Sequence, residues 1–209
     1  MSFSDLNKWH WDEENSVWIT PRGRTTFVAM SRRFKNKNST RPDDKGQWAV
    51  TIILPPGADT SGIRKAVNAE ATSGAKKPVD FWKPGKAVGL KSPFSRADEK
   101  LETVTSKGVE VDLEGWEMIR PNSYLPQRPV VRLANGEVVD DDELDIECFS
   151  GRWARLMVKP AWYDQDGGKG VKFRLEGVQL LRRDDPIGGF KVQTAESFGA
   201  VTDEDDDEV

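Results

Sequence analysis

Residues 152–181 read RWARLMVKPAWYDQDGGKGVKFRLEGVQLL, and this stretch decides the fold. Its first half alternates, so that Ala154, Leu156 and Val158 share one face. Its second half does the same with Val171, Phe173 and Leu175. Between them runs Asp164-Gln165-Asp166-Gly167-Gly168-Lys169-Gly170, a string of turn formers. Two runs of period two joined in this way predict an antiparallel hairpin with one buried face. The apolar phase slips after Leu175, because Val178 and Leu180 lie three and five residues on. A bulge at Gly177 absorbs the slip by adding one residue to one strand.

Working outward, the chain is mostly short strands. Residues 17–31 form a long Thr-rich strand interrupted near Pro21 and Gly23. In residues 47–54, Trp48, Val50, Ile52 and Leu54 alternate until Pro55-Pro56-Gly57 stops them. Residues 60–72 predict the one clear helix, with Asp59, Thr60 or Ser61 able to cap it and Ile63, Ala66, Val67 and Glu70 at helical spacing. Residues 74–108 read as irregular loop. Residues 129–133 and 137–139 flank Asn135-Gly136, a strong hairpin signal. Short strands with one helix predict a small closed or nearly closed antiparallel barrel.

Composition narrows the chemistry. One histidine, His10, and one cysteine, Cys148, leave too few ligands for a structural zinc site and no disulfide framework, which fits a reducing compartment. A Ser-His-Asp arrangement would have to use His10, between Trp9 and Trp11 in an N-terminal segment read as loose. Neither G-x-x-x-x-G-K-[ST] nor a G-x-G-x-x-G after a strand is present, so no nucleotide cofactor is expected. No apolar run approaches a membrane span, and Asp5, Asp12, Glu13 and Glu14 do not make a secretory leader. The expected location is a cytoplasm, with no membrane partner.

Charge is segregated. The chain has 31 Lys+Arg against 35 Asp+Glu. Six of the acids, Asp203, Glu204, Asp205, Asp206, Asp207 and Glu208, stand together in the last seven residues. Without them the rest carries a net charge of +2. A run of like charge this dense predicts a solvated tail. Residues 18–107 hold 18 Lys+Arg against 8 Asp+Glu, and residues 108–147 hold 3 against 11. The body is therefore suited to a polyanion, for which the tail can compete; a simple solubility tail is the alternative.

Two stretches carry the chemistry of nucleic-acid binding. Opposite the apolar face of the 152–181 hairpin stand Trp153, Arg155, Met157, Lys159 and Tyr163, with Lys172 and Arg174 on the second strand. Read as an outward surface, these are aromatics that stack on unpaired bases among cations that meet phosphates; the alternative is that Trp153 is covered by another segment. The loop Arg32-Arg33-Phe34-Lys35-Asn36-Lys37-Asn38-Ser39-Thr40-Arg41 has five cations, one aromatic and no acid. It makes a phosphate clamp or a solvated loop. A third stretch, Phe81-Trp82-Lys83-Pro84-Gly85-Lys86 with Lys91 and Phe94, is better read as an aromatic plug of the barrel end. The acidic run Asp140-Asp141-Asp142-Glu143 with Asp145 and Glu147 suggests a rival, a Mg²⁺-dependent nuclease, although a contiguous run is more often a solvated face. A virion assembly protein is the other rival.

The stretch from Cys148 to Phe198 resembles a family of phage-encoded single-stranded-DNA-binding proteins. The matching pieces are Ser150-Gly151, Ala161-Trp162-Tyr163-Asp164, Lys169-Gly170-Val171, Leu175, Val178-Gln179 and Pro186-Ile187-Gly188-Gly189. Pro129-Val130-Val131 with Asn135-Gly136, and the strand ending at Leu54-Pro55 before a helix, are similar as well. The resemblance implies a mainly β, OB-fold-like five-stranded antiparallel barrel with one main helix and long loops. It implies residues 1–16 as an N-terminal extension, 17–200 as a single domain and 201–209 as the acidic tail. It also implies a non-enzymatic protein of phage DNA replication or recombination that binds single-stranded DNA largely regardless of sequence. The tail would compete with DNA and recruit replication proteins, and its removal would admit duplex DNA. The end here, Glu208-Val209, lacks the large terminal side chain common on such tails.

Overall fold

The structure, a computed structural model, describes residues 6–35, 45–98, 112–165 and 167–185. Lys37, Arg41 and the tail Asp203–Glu208 lie outside the described residues, as does Pro186-Ile187-Gly188-Gly189. The strands are β1 (His10–Asp12), β2 (Val17–Ile19), β3 (Gly23–Phe34), β4 (Gln47–Leu54), β5 (Leu90–Lys91), β6 (Phe94–Arg96), β7 (Glu117–Ile119), β8 (Asn122–Ser123), β9 (Val130–Arg132), β10 (Trp153–Gln165) and β11 (Gly168–Leu180). The helices are α1 (Ser61–Ala75) and α2 (Leu144–Glu147).

Five strands close a ring. β3 pairs with β4, β4 with β8, β8 with β11, β11 with β10, and β10 returns to β3 through Trp153↔Arg24 and Ala154↔Gly23. This is the expected five-stranded barrel. One joint, Arg174↔Asn122 between β11 and β8, is parallel. Between β8 and β11 the chain runs through β9, α2 and β10 rather than a hairpin, and a parallel neighbour needs such a crossover.

The deciding hairpin forms as read and runs further, with rungs continuing to Gln165↔Gly168. Its register shifts where Met157 faces Gly177 and Val158 faces Leu175, leaving Glu176 as the extra residue. Val178 and Leu180 thereby return to the interior, where both are buried with Ala154, Leu156, Val158, Val171, Phe173 and Leu175. The Asn135-Gly136 turn also forms, with Leu133 N–H donating to the Glu137 carbonyl at 2.8 Å and Gly136 at a φ of 90°.

α1 closes one end of the barrel. Ile63, Val67 and Ala71 repeat at helical spacing and are fully buried. Each of the two larger side chains contributes roughly 1.5–3 kcal/mol. The Asp59 carboxylate accepts from Ser61 N–H at 2.9 Å at the helix start, and Lys76, left-handed at a φ of 53°, ends it. The Trp162 ring of β10 lies against Gly74, and the Trp162 backbone N–H donates to Glu70 Oε1 at 2.8 Å. The plug expected from Phe81 and Trp82 is present as a chain of edge-on rings: Phe81 on Trp82, Trp82 on Phe94, and Phe94 on Phe173.

Residues 6–16, read as a loose extension, pack onto the domain. β1 pairs with β2, and the Trp9 ring meets both Phe94 and Phe173 at 6.0 Å between centroids. Among the described residues no helix is long and apolar enough to cross a membrane.

Candidate nucleic-acid interface

The outer face of β3, β4 and β8 carries an open cleft of about 450 Å³. Its shape follows from side-chain size. A register shift at Thr26 puts Thr25 inward and Phe27 outward, opposite Thr51. Ala49, paired with Ala29, lies at the base, where two methyl groups leave a hollow. Phe27 and Phe34 stand at one side, Arg120, Pro121 and Asn122 at the other, with Gln47 and Thr51 between. Phe27 is 38% exposed and Phe34 41%. Two large rings left in water beside a hollow make a surface on which a planar ring can stack.

Cations border the cleft and continue across β8. Arg33 lies over the Trp48 ring at 5.2 Å and donates to the Leu125 carbonyl, tying the end of β3 to the loop after β8. That loop presents Tyr124, 55% exposed, with Lys172 Nζ 4.9 Å from its ring centroid. Arg174 stands opposite Asn122 of the cleft and is paired with Glu176; Lys159 is its partner across the β10–β11 ladder. Tyr163 is further along the same outer face, and burial pushes its phenol pKa up. Arg32 and Lys35 are exposed beside Phe34.

The structure thus gathers most of the sequence candidates on one surface. Phe34 lines the cleft, with Arg32, Arg33 and Lys35 next to it in the chain, and Lys159, Tyr163, Lys172 and Arg174 are on β10 and β11. Phe27, Tyr124 and Arg120 belong with them and were missed. Phe27 could have been found, since it alternates with the inward Val28 and Met30 in a strand already assigned.

Two candidates do not stand free as the alternation implied. Arg155 keeps the outward phase but is covered: it is 8% exposed, and its Nε–H donates to the Thr20 carbonyl at 3.1 Å. Trp153 is held between Arg22 and Arg182, 5.5 and 5.3 Å from its ring, and its indole N–H donates to Asp184 Oδ2 at 2.8 Å. The cause is long-range, because β2 and residues 181–185 lie over that end of β10. The acidic run does not converge either. Asp140, Asp141, Asp142, Glu143 and Asp145 are exposed, Asp141 pairs with Arg128, and Glu147 is tied to Arg152 and Arg183. Among the described residues no group of three or more His, Cys, Asp or Glu is placed to hold a metal ion.

Residues 19–209 match the family model described as Enterobacter phage Enc34, ssDNA-binding protein. The chain belongs to the Enc34 single-stranded-DNA-binding protein family. The fold of the family's bacteriophage Enc34 protein, solved in complex with ssDNA, is similar, with a TM-score of 0.61 at 17% identity over 83% of this chain and 90% of that one. A C-terminal truncation of that Enc34 protein gives 0.60 at 16% identity over the same shares. The fold is also shared with gp2.5, a single-stranded DNA binding protein encoded by bacteriophage T7. There the TM-score is 0.58 at 14% identity, over 88% of this chain and 97% of that one. No curated protein sequence matches the chain.

Proposed function

We propose that this chain is a non-enzymatic phage protein that binds single-stranded DNA largely without regard to sequence, acting in DNA replication or recombination in the host cytoplasm. The observation that carries the reading is the adjacency of rings and cations. A cleft with two exposed phenylalanines adjoins, through the Asn122↔Arg174 rung, strands that carry Arg174, Lys172 and Lys159. Base faces stack on rings whatever the base, and phosphates meet cations, so this surface suits an unpaired polynucleotide better than a duplex, whose bases are already stacked. Family membership supports the same ligand. The acidic tail Asp203–Glu208 would compete for these cations as a polyanion and recruit replication partners.

Eight tryptophans make intrinsic fluorescence the natural test. Titration with unlabelled polythymidylate should change the signal saturably, and added salt should weaken binding. No response at low salt overturns the proposal.

A further inference from the structure

The open cleft on β3, β4 and β8 is lined by polar groups that nothing in the chain satisfies. Thr26 Oγ1, Gln47 Oε1 and Asn122 Oδ1 are shut off from water and have no hydrogen-bond partner. All three residues line the one cleft. Buried polar atoms are normally paired, because an unpaired one has given up its hydration for nothing. Apart from Asn7 Oδ1, the other buried unpaired side-chain atoms among the described residues are nitrogens. The cleft thus collects oxygens.

The ladder fixes where they stand. Ala49 is the floor of the hollow, and its methyl group is too small to fill it. Gln47 lies two residues from Ala49 on the same face of β4, roughly 7 Å at the rise of a strand, and is the ladder partner of Phe34. Asn122 is the partner of Ala49 across the β4–β8 ladder. The two amides therefore flank the floor, one along the strand and one across it. Thr26 is the residue left over by the register shift in β3, next to Phe27. Neither amide makes a side-chain hydrogen bond among the described residues, so each is free to turn toward a guest.

A nucleobase that stacks on Phe34 or Phe27 meets the ring with its face and keeps its edge for the floor. Edges differ in the donors and acceptors they present. Adenine, cytosine and guanine each carry an exocyclic amine with two N–H donors. Thymine has no amine and presents carbonyl oxygens on both sides of a single ring N–H. Facing oxygens, an amine is satisfied and a carbonyl is not. A site built to hydrogen-bond one group rejects an analogue that lacks it, because both sides are then left unpaired.

We propose that Gln47, Asn122 and Thr26 read the edge of a base stacked in the cleft and favour the amine-bearing bases over thymine. This rests on the proposed single-strand function and adds a preference to a binding otherwise indifferent to sequence. Stacking and phosphate contacts still hold every base, so thymine strands bind, but more weakly.

The test compares oligodeoxycytidylate with oligodeoxyuridylate on the full chain, at about 16 nucleotides, the upper span of one OB fold, and one salt concentration. Both are pyrimidines without a methyl group, and they differ in the amine or carbonyl at position 4, so ring size and strand charge are held constant. The parent should bind the cytosine strand about tenfold more tightly. Gln47→Leu and Asn122→Leu should each bring that ratio toward one by weakening the cytosine strand, with the uracil strand at parental affinity. Equal, saturable binding of both strands by the parent overturns the preference and leaves the single-strand function standing; this comparison needs no variant. A parental ratio retained in both variants makes the amides mere wall and overturns the proposal as well. A parent that binds neither strand sinks the single-strand function, and this inference with it.

Discussion

Phe34 stands edge-on to Phe27, with ring centroids 5.2 Å apart and planes 83° apart. One ring therefore offers its face to the cleft while the other braces it. Phe34→Ala and Phe27→Ala should each weaken single-strand binding by roughly 1–3 kcal/mol, the worth of a stacked base. The double variant should lose less than the two together, since each ring positions the other. Equilibrium titration at one salt concentration checks both; parental affinity in the two single variants places the strand elsewhere.

Gly74 faces Trp162 so closely that a Cβ would lie 2.2 Å from its ring. Alanine is the better helix former by about 1 kcal/mol, but overpacking costs roughly 1–3 kcal/mol. The clash should win, so Gly74→Ala should lower the urea midpoint. A raised midpoint shows that Trp162 moves aside freely.

Glu147 bridges Arg152 and Arg183. Burial works to raise its pKa, but the hydrogen bonds and charges of both arginines outweigh it and hold the carboxyl below its usual range. A depressed folded value means stability that is present above the unfolded pKa and lost as pH falls through the folded one. The parent should lose this contribution below about pH 4, and Glu147→Gln should lack it at every pH. The loss at neutral pH should be about 2 kcal/mol, that of a charged hydrogen bond, because Arg152 keeps the carbonyls of Glu147 and Leu181. Unfolding by urea from pH 7 to pH 3 follows both; parallel curves for parent and variant refute the coupling.

Deleting residues 203–209 changes the net charge from -4 to +2. Single-strand affinity should rise several-fold at low salt, duplex binding should emerge, and both effects should fade as salt screens the tail. Equal affinity of the two chains at low salt removes the competition model.

Much of the fold was legible because the signals were local. Ala154 to Val158 and Val171 to Leu175 kept a two-residue period, and the slip before Val178 marked a bulge beside Gly177. The helix announced itself through Ile63, Val67 and an acidic residue at its start. The site was legible only in part. Phe34 and Arg174 stood in polar stretches and stayed exposed, and Arg33 and Lys172 are half-buried. Tyr124 follows β8, two residues long, which is too short to show a period. Arg155 kept the outward phase of its strand but was covered by Thr20, 135 residues away, and no local pattern carries that information.

β8 is also the narrowest stave of the barrel. Its two residues meet β4 at Trp48↔Ser123 and Ala49↔Asn122 and meet β11 at a single rung, so the hoop has a seam there. Asn122 lines the cleft on one side of that seam and Arg174 stands on the other. A guest lying across both would act as a clasp. By linkage, whatever such a guest gains from the closed ring it returns as resistance to opening, so cargo and container hold each other shut.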